Sequence, residues 1–312
     1  MVYLTRQVAL LAKIETTIGT DALPDTANAI NCFDVDVKPV IGKAERMQYK
    51  NTLGAGQSVP TTREAEVTFK TYLQSTPADE QAPEISPLWQ GVGLAEATYT
   101  GSDTLTHYKY TPTSTGHKTL TIYVYKGGYL HKIVGAMGNA KITAKVNDLP
   151  VVEWTFKGRL YSVSASSVPS ITYTQSTLSA VQGVNCTFDG WAGVMSSFSL
   201  DLGNDLGARP NLNDDTGIEA YLIKARKPTI QIDPETDPAS KDIWAKLLNN
   251  TGGEISITLN SARQVEISIP SADIEDVAYA DREGIVIQNI TLVATETSGD
   301  DEFIIDYTDA SA

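Results

Sequence analysis

Phe33-Asp34-Val35-Asp36-Val37 and, far downstream, Phe198-Ser199-Leu200-Asp201-Leu202 are one short phrase written twice. Both alternate apolar and polar residues, the period of a strand with one buried face. After each copy come a long polar, Gly-containing stretch, a second strand, a Trp-bearing segment and a closing β-hairpin. The Trp-bearing segments are Leu88-Trp89 and Ile243-Trp244. The spacing between matching pieces shrinks along the chain, as loops of unequal length produce. The order predicts a mainly β fold of two β-sandwich or barrel domains, each with a short flanking helix, related by internal duplication. Their bounds are read as 1–161 and 180–312, joined by a Ser/Thr-rich linker at 162–179 that contains Pro169.

The period of two extends well beyond the repeated phrase. Leu120 to Tyr125 and His131 to Val134 flank Lys126-Gly127-Gly128-Tyr129, whose glycine pair suits a tight hairpin turn needing φ > 0. In the second half Ile255, Ile257 and Leu259 face one way and Ser256, Thr258 and Asn260 the other. A turn near Ser261-Ala262 then leads to Val265, Ile267 and Ile269 against Gln264, Glu266 and Ser268. Val151 to Phe156 and Gly284 to Val293 read as later strands. Helical signal is confined to Ser240–Leu248, with Ser240 as the expected cap, and to one turn within Glu84–Gly91.

A chain of 312 residues can bury a large core, and its net charge of −14 argues against a nucleic-acid reader, which carries a basic face. Two cysteines, Cys32 and Cys186, make no disulfide scaffold and read as buried free thiols in a reducing compartment. The first residues lack a signal-peptide pattern and no apolar run is long enough to span a membrane, so a soluble cytoplasmic product is expected.

No residue pattern points to catalysis. His107, His117 and His131 have no metal-ligand spacing, Gly91-Val92-Gly93 lacks the third glycine of a dinucleotide loop, and Gly116-His117-Lys118-Thr119 lacks the first glycine of a phosphate loop. Asp233-Pro234-Glu235-Thr236-Asp237, Asn213-Asp214-Asp215 and Asp300-Asp301-Glu302 do not have the alternating spacing of a calcium loop and read as solvated acidic turns. Neither an enzyme nor a cofactor or metal site is expected.

The stretch Leu10-Leu11-Ala12-Lys13-Ile14-Glu15-Thr16-Thr17-Ile18-Gly19-Thr20-Asp21-Ala22-Leu23-Pro24 resembles the N-terminal arm of the major tail tube proteins of long-tailed, non-contractile bacteriophages. The strand at Phe33 to Val37, the loop 42–64 with Leu53-Gly54-Ala55, the strand Ala65 to Tyr72, and Gly135-Ala136-Met137-Gly138 followed by Val151 to Gly158 continue the likeness. It is most specific over the first half.

The resemblance implies a structural virion protein, made in the host bacterial cytoplasm, whose subunits form stacked rings around a conduit for DNA ejection. It implies as partners further copies of the chain, the tape measure, tail terminator and distal tail proteins, and viral DNA that passes without specific binding. The loop 42–64 would then reach the neighbouring ring, with Arg46, Met47, Tyr49, Leu53 and Val59 as contact residues. The lumen is expected to be acidic or neutral, with Gln264, Glu266 and Ser268 facing it, because a basic lining would grip DNA. Two tube domains per chain predict a pseudo-sixfold ring of three copies, and a decorating second half would predict six. The other reading is a carbohydrate- or surface-binding β-sandwich, an adhesin or capsid decoration protein, with Tyr108, Tyr110, Tyr123, Tyr125 and Tyr129 as its platform. At their spacing, cross-strand packing is the commoner use of such tyrosines.

Overall fold

The computed structural model describes residues 4–49, 51, 54, 56–75, 81–101, 106–173, 178–259 and 265–308. The first half carries β1 (Val8–Ile14), β2 (Phe33–Glu45), β3 (Ser58–Tyr72), α1 (Ser86–Gly91), β4 (Leu94–Thr100), β5 (Thr106–Pro112), β6 (Leu120–Lys126), β7 (Tyr129–Lys145) and β8 (Val151–Ala165). The second carries β9 (Asn185–Phe188), β10 (Ser197–Asp201), β11 (Asn204–Pro210), β12 (Ile218–Arg226), β13 (Thr229–Ile232), α2 (Ile243–Leu248), β14 (Gly253–Leu259), β15 (Val265–Arg282), β16 (Ile285–Ala294) and β17 (Ile304–Thr308). The molecule is mainly β, as the alternation of its sequence requires.

Among the described residues fifteen strands form one sheet, and β11 and β12 make a separate ribbon. A central run of eight strands reads β2-β3-β8-β7-β10-β13-β16-β15. Within it the pairings β2·β3, β3·β8 and β8·β7 are followed by β10·β13, β13·β16 and β16·β15, in the same order along each half. The pairings outside the run match as well: β6 joins β1 to β7, and β14 joins β9 to β15.

The two halves meet through backbone. Phe198 of β10 lies opposite Ala144 of β7, and Leu200 opposite Ile142, in an antiparallel ladder. One hydrophobic core runs beneath both halves, with Phe69, Trp89, Trp154 and Phe156 from the first and Ile232, Ile257, Leu292 and Phe303 from the second. Because that core is continuous, the β7·β10 ladder is covered by packed apolar surface on one face.

Several local expectations are met, and others shift. Gly127 and Gly128 adopt φ of 61° and 81° between β6 and β7, giving the tight turn that their sequence calls for. The α2 cap is Asp242, which accepts from the Ala245 N–H, rather than Ser240, whose own N–H is held by Asp237. Residues 162–165, read as linker, extend β8 and pair with the start of β7. Both ends of the expected loop 42–64 are strand: β2 runs to Glu45 and β3 begins at Ser58. The turn expected near Ser261-Ala262 lies outside the described residues.

Candidate assembly surfaces

Among the described residues no group of His, Cys, Asp and Glu could hold a metal ion. The acidic turns are occupied by the protein's own donors. Asp233 accepts from the Ser196 and Ser197 N–H groups, Glu235 pairs with Arg282 at 2.9 Å, Asp214 with Arg159, and Asp300 and Glu302 with Arg226 at 3.1 and 2.8 Å. His117 bonds the Thr113 carbonyl at 2.7 Å and His107 sits 3.2 Å from Asp306. Burial pushes both cysteine thiols up to about 12, which suppresses thiolate chemistry. Of the five tyrosines considered for a binding platform, Tyr108, Tyr110 and Tyr123 are buried. They pack the interior.

What the fold does build is a junction between its halves. Where the chain leaves β10, Gly203 turns with φ 63°, and a Cβ there would lie 2.0 Å from the Lys227 carbonyl. Only glycine permits that close approach, which bends the hairpin out of the sheet so that the β11–β12 ribbon lies over β7 and β8. Asn204 then donates to the Val92 carbonyl at the end of α1 (2.8 Å) and to the Gly138 carbonyl of β7 (3.0 Å). Trp89 of α1 donates its indole N–H to the Tyr307 hydroxyl of β17 at 3.0 Å. Arg159 of β8 holds the Gly19 carbonyl at 2.6 Å as well as Asp214 in the ribbon's loop.

Beside this junction lies a hub that the sequence did not announce. The buried Glu15 carboxylate accepts from the Gly19 and Gly135 N–H groups, both at 2.7 Å, and from the Thr119 and Thr121 hydroxyls at 2.6 and 2.9 Å. Four donors satisfy a charge that would otherwise be costly to bury. Its one sequence signal was a carboxylate ending an apolar strand.

Other surfaces are open. β2 pairs only with β3, and its outer edge is unpaired among the described residues. The distal hairpin exposes Val40, Ile41 and Val59, and beyond it Arg46 and Tyr49 are exposed and Met47 is 96 % exposed. Leu53 lies outside the described residues. At the other end of the eight-strand run, β14 accompanies β15 only as far as Ala272, so among the described residues the following part of β15 has one partner, β16.

The outward face of the run forms a shallow polar groove. A cavity of about 550 Å³ is lined by Lys141, Thr143, Glu153, Ser199, Gln231 and Thr291, among others, and a second of about 510 Å³ adjoins it over Asn139, Asp201 and Thr229. Lys141 has Glu153 opposite it on β8 and Asp201 opposite it on β10. Lys70 pairs with Glu153 at 2.9 Å. Of the residues read as lumen-facing, Glu266 and Ser268 lie on the first part of β15, between β14 and β17 and away from this groove, and Gln264 lies outside the described residues.

The β-built chain presents open strand edges and a polar groove among its described residues. The family model described as phage tail tube protein matches residues 5–295, and the chain belongs to that family. It is a structural component of the bacteriophage tail. A search of curated proteins finds no match. No helix among the described residues is long and apolar enough to cross a membrane.

Proposed function

We propose that three copies of this chain close head to tail into a pseudo-sixfold ring, and that rings stack into the tube through which viral DNA is ejected. In this reading the halves are duplicated tube domains, each supplying four strands to a wall. The observation that supports it most is the eight-strand run in which one order of pairing occurs twice, with the outer edge of β2 and the part of β15 after Ala272 unpaired among the described residues.

The groove face of the run then lines the lumen. Its Ser, Thr, Asn and Gln side chains, with lysines set opposite carboxylates, offer DNA few unpaired cations to bind, so a duplex slides. In this reading Arg46, Met47, Tyr49 and Val59, all exposed, meet the neighbouring ring. The tape measure, terminator and distal tail proteins are partners on the strength of the family. Native mass spectrometry of rings released from tubes tests the stoichiometry: three chains are expected, and six would overturn the duplicated reading.

A further inference from the structure

The halves are joined by backbone a second time, away from the β7·β10 ladder. β17 lies between β5 of the first half and β15 of the second, with Ile305 and Tyr307 opposite Tyr110 and Tyr108 on one side and opposite Ile267 and Val265 on the other. The segment alternates. Phe303, Ile305 and Tyr307 are fully buried, Trp89 donates to the Tyr307 hydroxyl at 3.0 Å, and the Tyr110 ring meets that of Tyr307 edge-on at 5.7 Å. Half-buried Asp306 and Thr308 face the other way, onto His107 at 3.2 and 3.3 Å. A ladder on each edge and pockets for alternate side chains are the means by which a sheet takes up an added strand.

Both neighbours of β17 have other support. β14 pairs with β15 across the same residues, Val265 to Ile269, and β4 pairs with β5 along its whole length. The β4–β5 hairpin is in turn tied to α1, because Glu96 accepts from the Ser86 and Tyr110 hydroxyls. β17 itself has five residues, follows the loop 295–303, and lies outside the residues matched to the tube family. That loop is fastened at two points. The Thr295 N–H donates to the Ser271 carbonyl at 2.9 Å, and Arg226 of β12 clips Asp300 and Glu302. Between these points Gly299 turns with φ 88° in open space. The clip is incompletely satisfied, since one carboxylate oxygen of Glu302 is buried without a hydrogen-bond partner. That cost belongs to the closed state, and water relieves it when the segment lifts.

We infer that the cleft between β5 and β15 is a strand-acceptor site whose removable occupant is residues 300–308, a latch that leaves and re-enters while the sheets on either side stay folded. Thr295 is its hinge and the Arg226 clip its catch. Closed, the latch joins the halves through a second ladder; open, it leaves β7·β10 as the ladder between them and frees the β4–β5 hairpin from the second half. The chemistry the site selects is an extended peptide with a large apolar side chain at every second position and a phenol placed to accept from Trp89. The chain's own segment fills it, because hinge and catch both hold that segment to its own chain.

The test uses the full chain with a protease recognition sequence inserted between Ser298 and Gly299 and cut after folding. The piece from Gly299 onward is expected to stay bound through size-exclusion chromatography. It should then exchange for a fluorescent peptide of residues 300–308 added in excess, while circular dichroism remains that of the folded chain. The same peptide carrying Tyr307→Ala should enter at least about tenfold less well. A piece that is lost at once in buffer, or that never exchanges, overturns the inference, and so does equal entry of the two peptides. Hydrogen exchange on the unaltered chain decides the matter if the insertion prevents folding. Amides of 304–308 should then exchange at least about tenfold faster than those paired between β7 and β8, as a locally opening segment does. Equal rates mean that β17 opens only with the whole molecule, and they overturn the latch.

Discussion

Trp89 and Trp244 each sit in a short helix, α1 and α2, and live in different worlds. Trp89 is fully buried, 4.6 Å from Trp154 and bonded to Tyr307, while Trp244 leans half-buried on an exposed Tyr279, 5.6 Å away. The difference is not one of composition. α1 follows the β2·β3 ladder and α2 follows β13, which pairs with β10. What differs is whether another segment of chain lies on top, which teaches that burial here is set by which junction is made.

Breaking the two tryptophans separately gives the largest contrast. Trp89→Ala should cost about 3–5 kcal/mol, the range for emptying a fully packed aromatic site, and it also strands the Tyr307 hydroxyl. Trp244→Ala should cost the free chain less than about 1 kcal/mol, since little area leaves contact, and yet should lower the yield of tubes. Urea unfolding of each variant, beside sedimentation of assembled material, measures both quantities. Equal destabilisation of the free chain by the two would show that the asymmetry of cover is not real.

Glu15 offers the next largest effect, and it belongs to the closed junction. Glu15→Ala leaves two backbone N–H groups and two hydroxyls without their acceptor, at about 1–3 kcal/mol for a buried group left unsatisfied and more than one group at stake. A loss of about 3 kcal/mol or more in unfolding free energy is expected. Glu15→Gln, which retains one acceptor oxygen, should recover part of it.

Asn204→Ala tests the junction more locally. It removes the donors to Val92 and Gly138 while leaving the β7·β10 ladder in place. About 1–2 kcal/mol is expected, roughly one net hydrogen bond plus a stranded carbonyl. Exchange of the β11–β12 amides should quicken before that of β10, and simultaneous loosening of both would show that ribbon and ladder form a single unit.

The sequence was legible wherever a single segment decides its own conformation. Gly127-Gly128 fixed a two-residue turn, and alternation from Leu120 onward and through Ile255 to Leu259 fixed strands with a core face. It misled at the outer β2–β3 hairpin, where Gly42 and Pro60 read as loop. Those residues are tolerated because this ribbon lies beyond the reach of β8, whose pairing with β3 begins at Glu64, so among the described residues both its edges are unpaired and no buried face imposes alternation. Ser240 and Asp242 are both good caps, and nothing local says which one the helix will use. The β7·β10 ladder, the Glu15 hub and the groove join residues far apart in sequence, and pattern within a window cannot see them. The family was legible in Leu10 to Pro24 because that segment carries its likeness in residue identity.

All three histidines lie in the first half, which makes acid a finer probe of the same asymmetry. His131 on β7 has its Nδ1 buried with no hydrogen-bond partner, and its pKa is held below the ordinary 6.5 by that burial first and by the Lys126 charge second. Above about pH 6.5 the ring is neutral in folded and unfolded chains alike and contributes nothing. As pH falls through that value the unfolded chain takes up a proton that the folded chain resists, so stability is lost. Because the ring is only partly enclosed, solvent screening keeps this the smallest effect of the set. Between pH 7.5 and 5.5 the unaltered chain should lose more stability to urea than His131→Asn does, and parallel losses would show that the buried imidazole is not the group responsible.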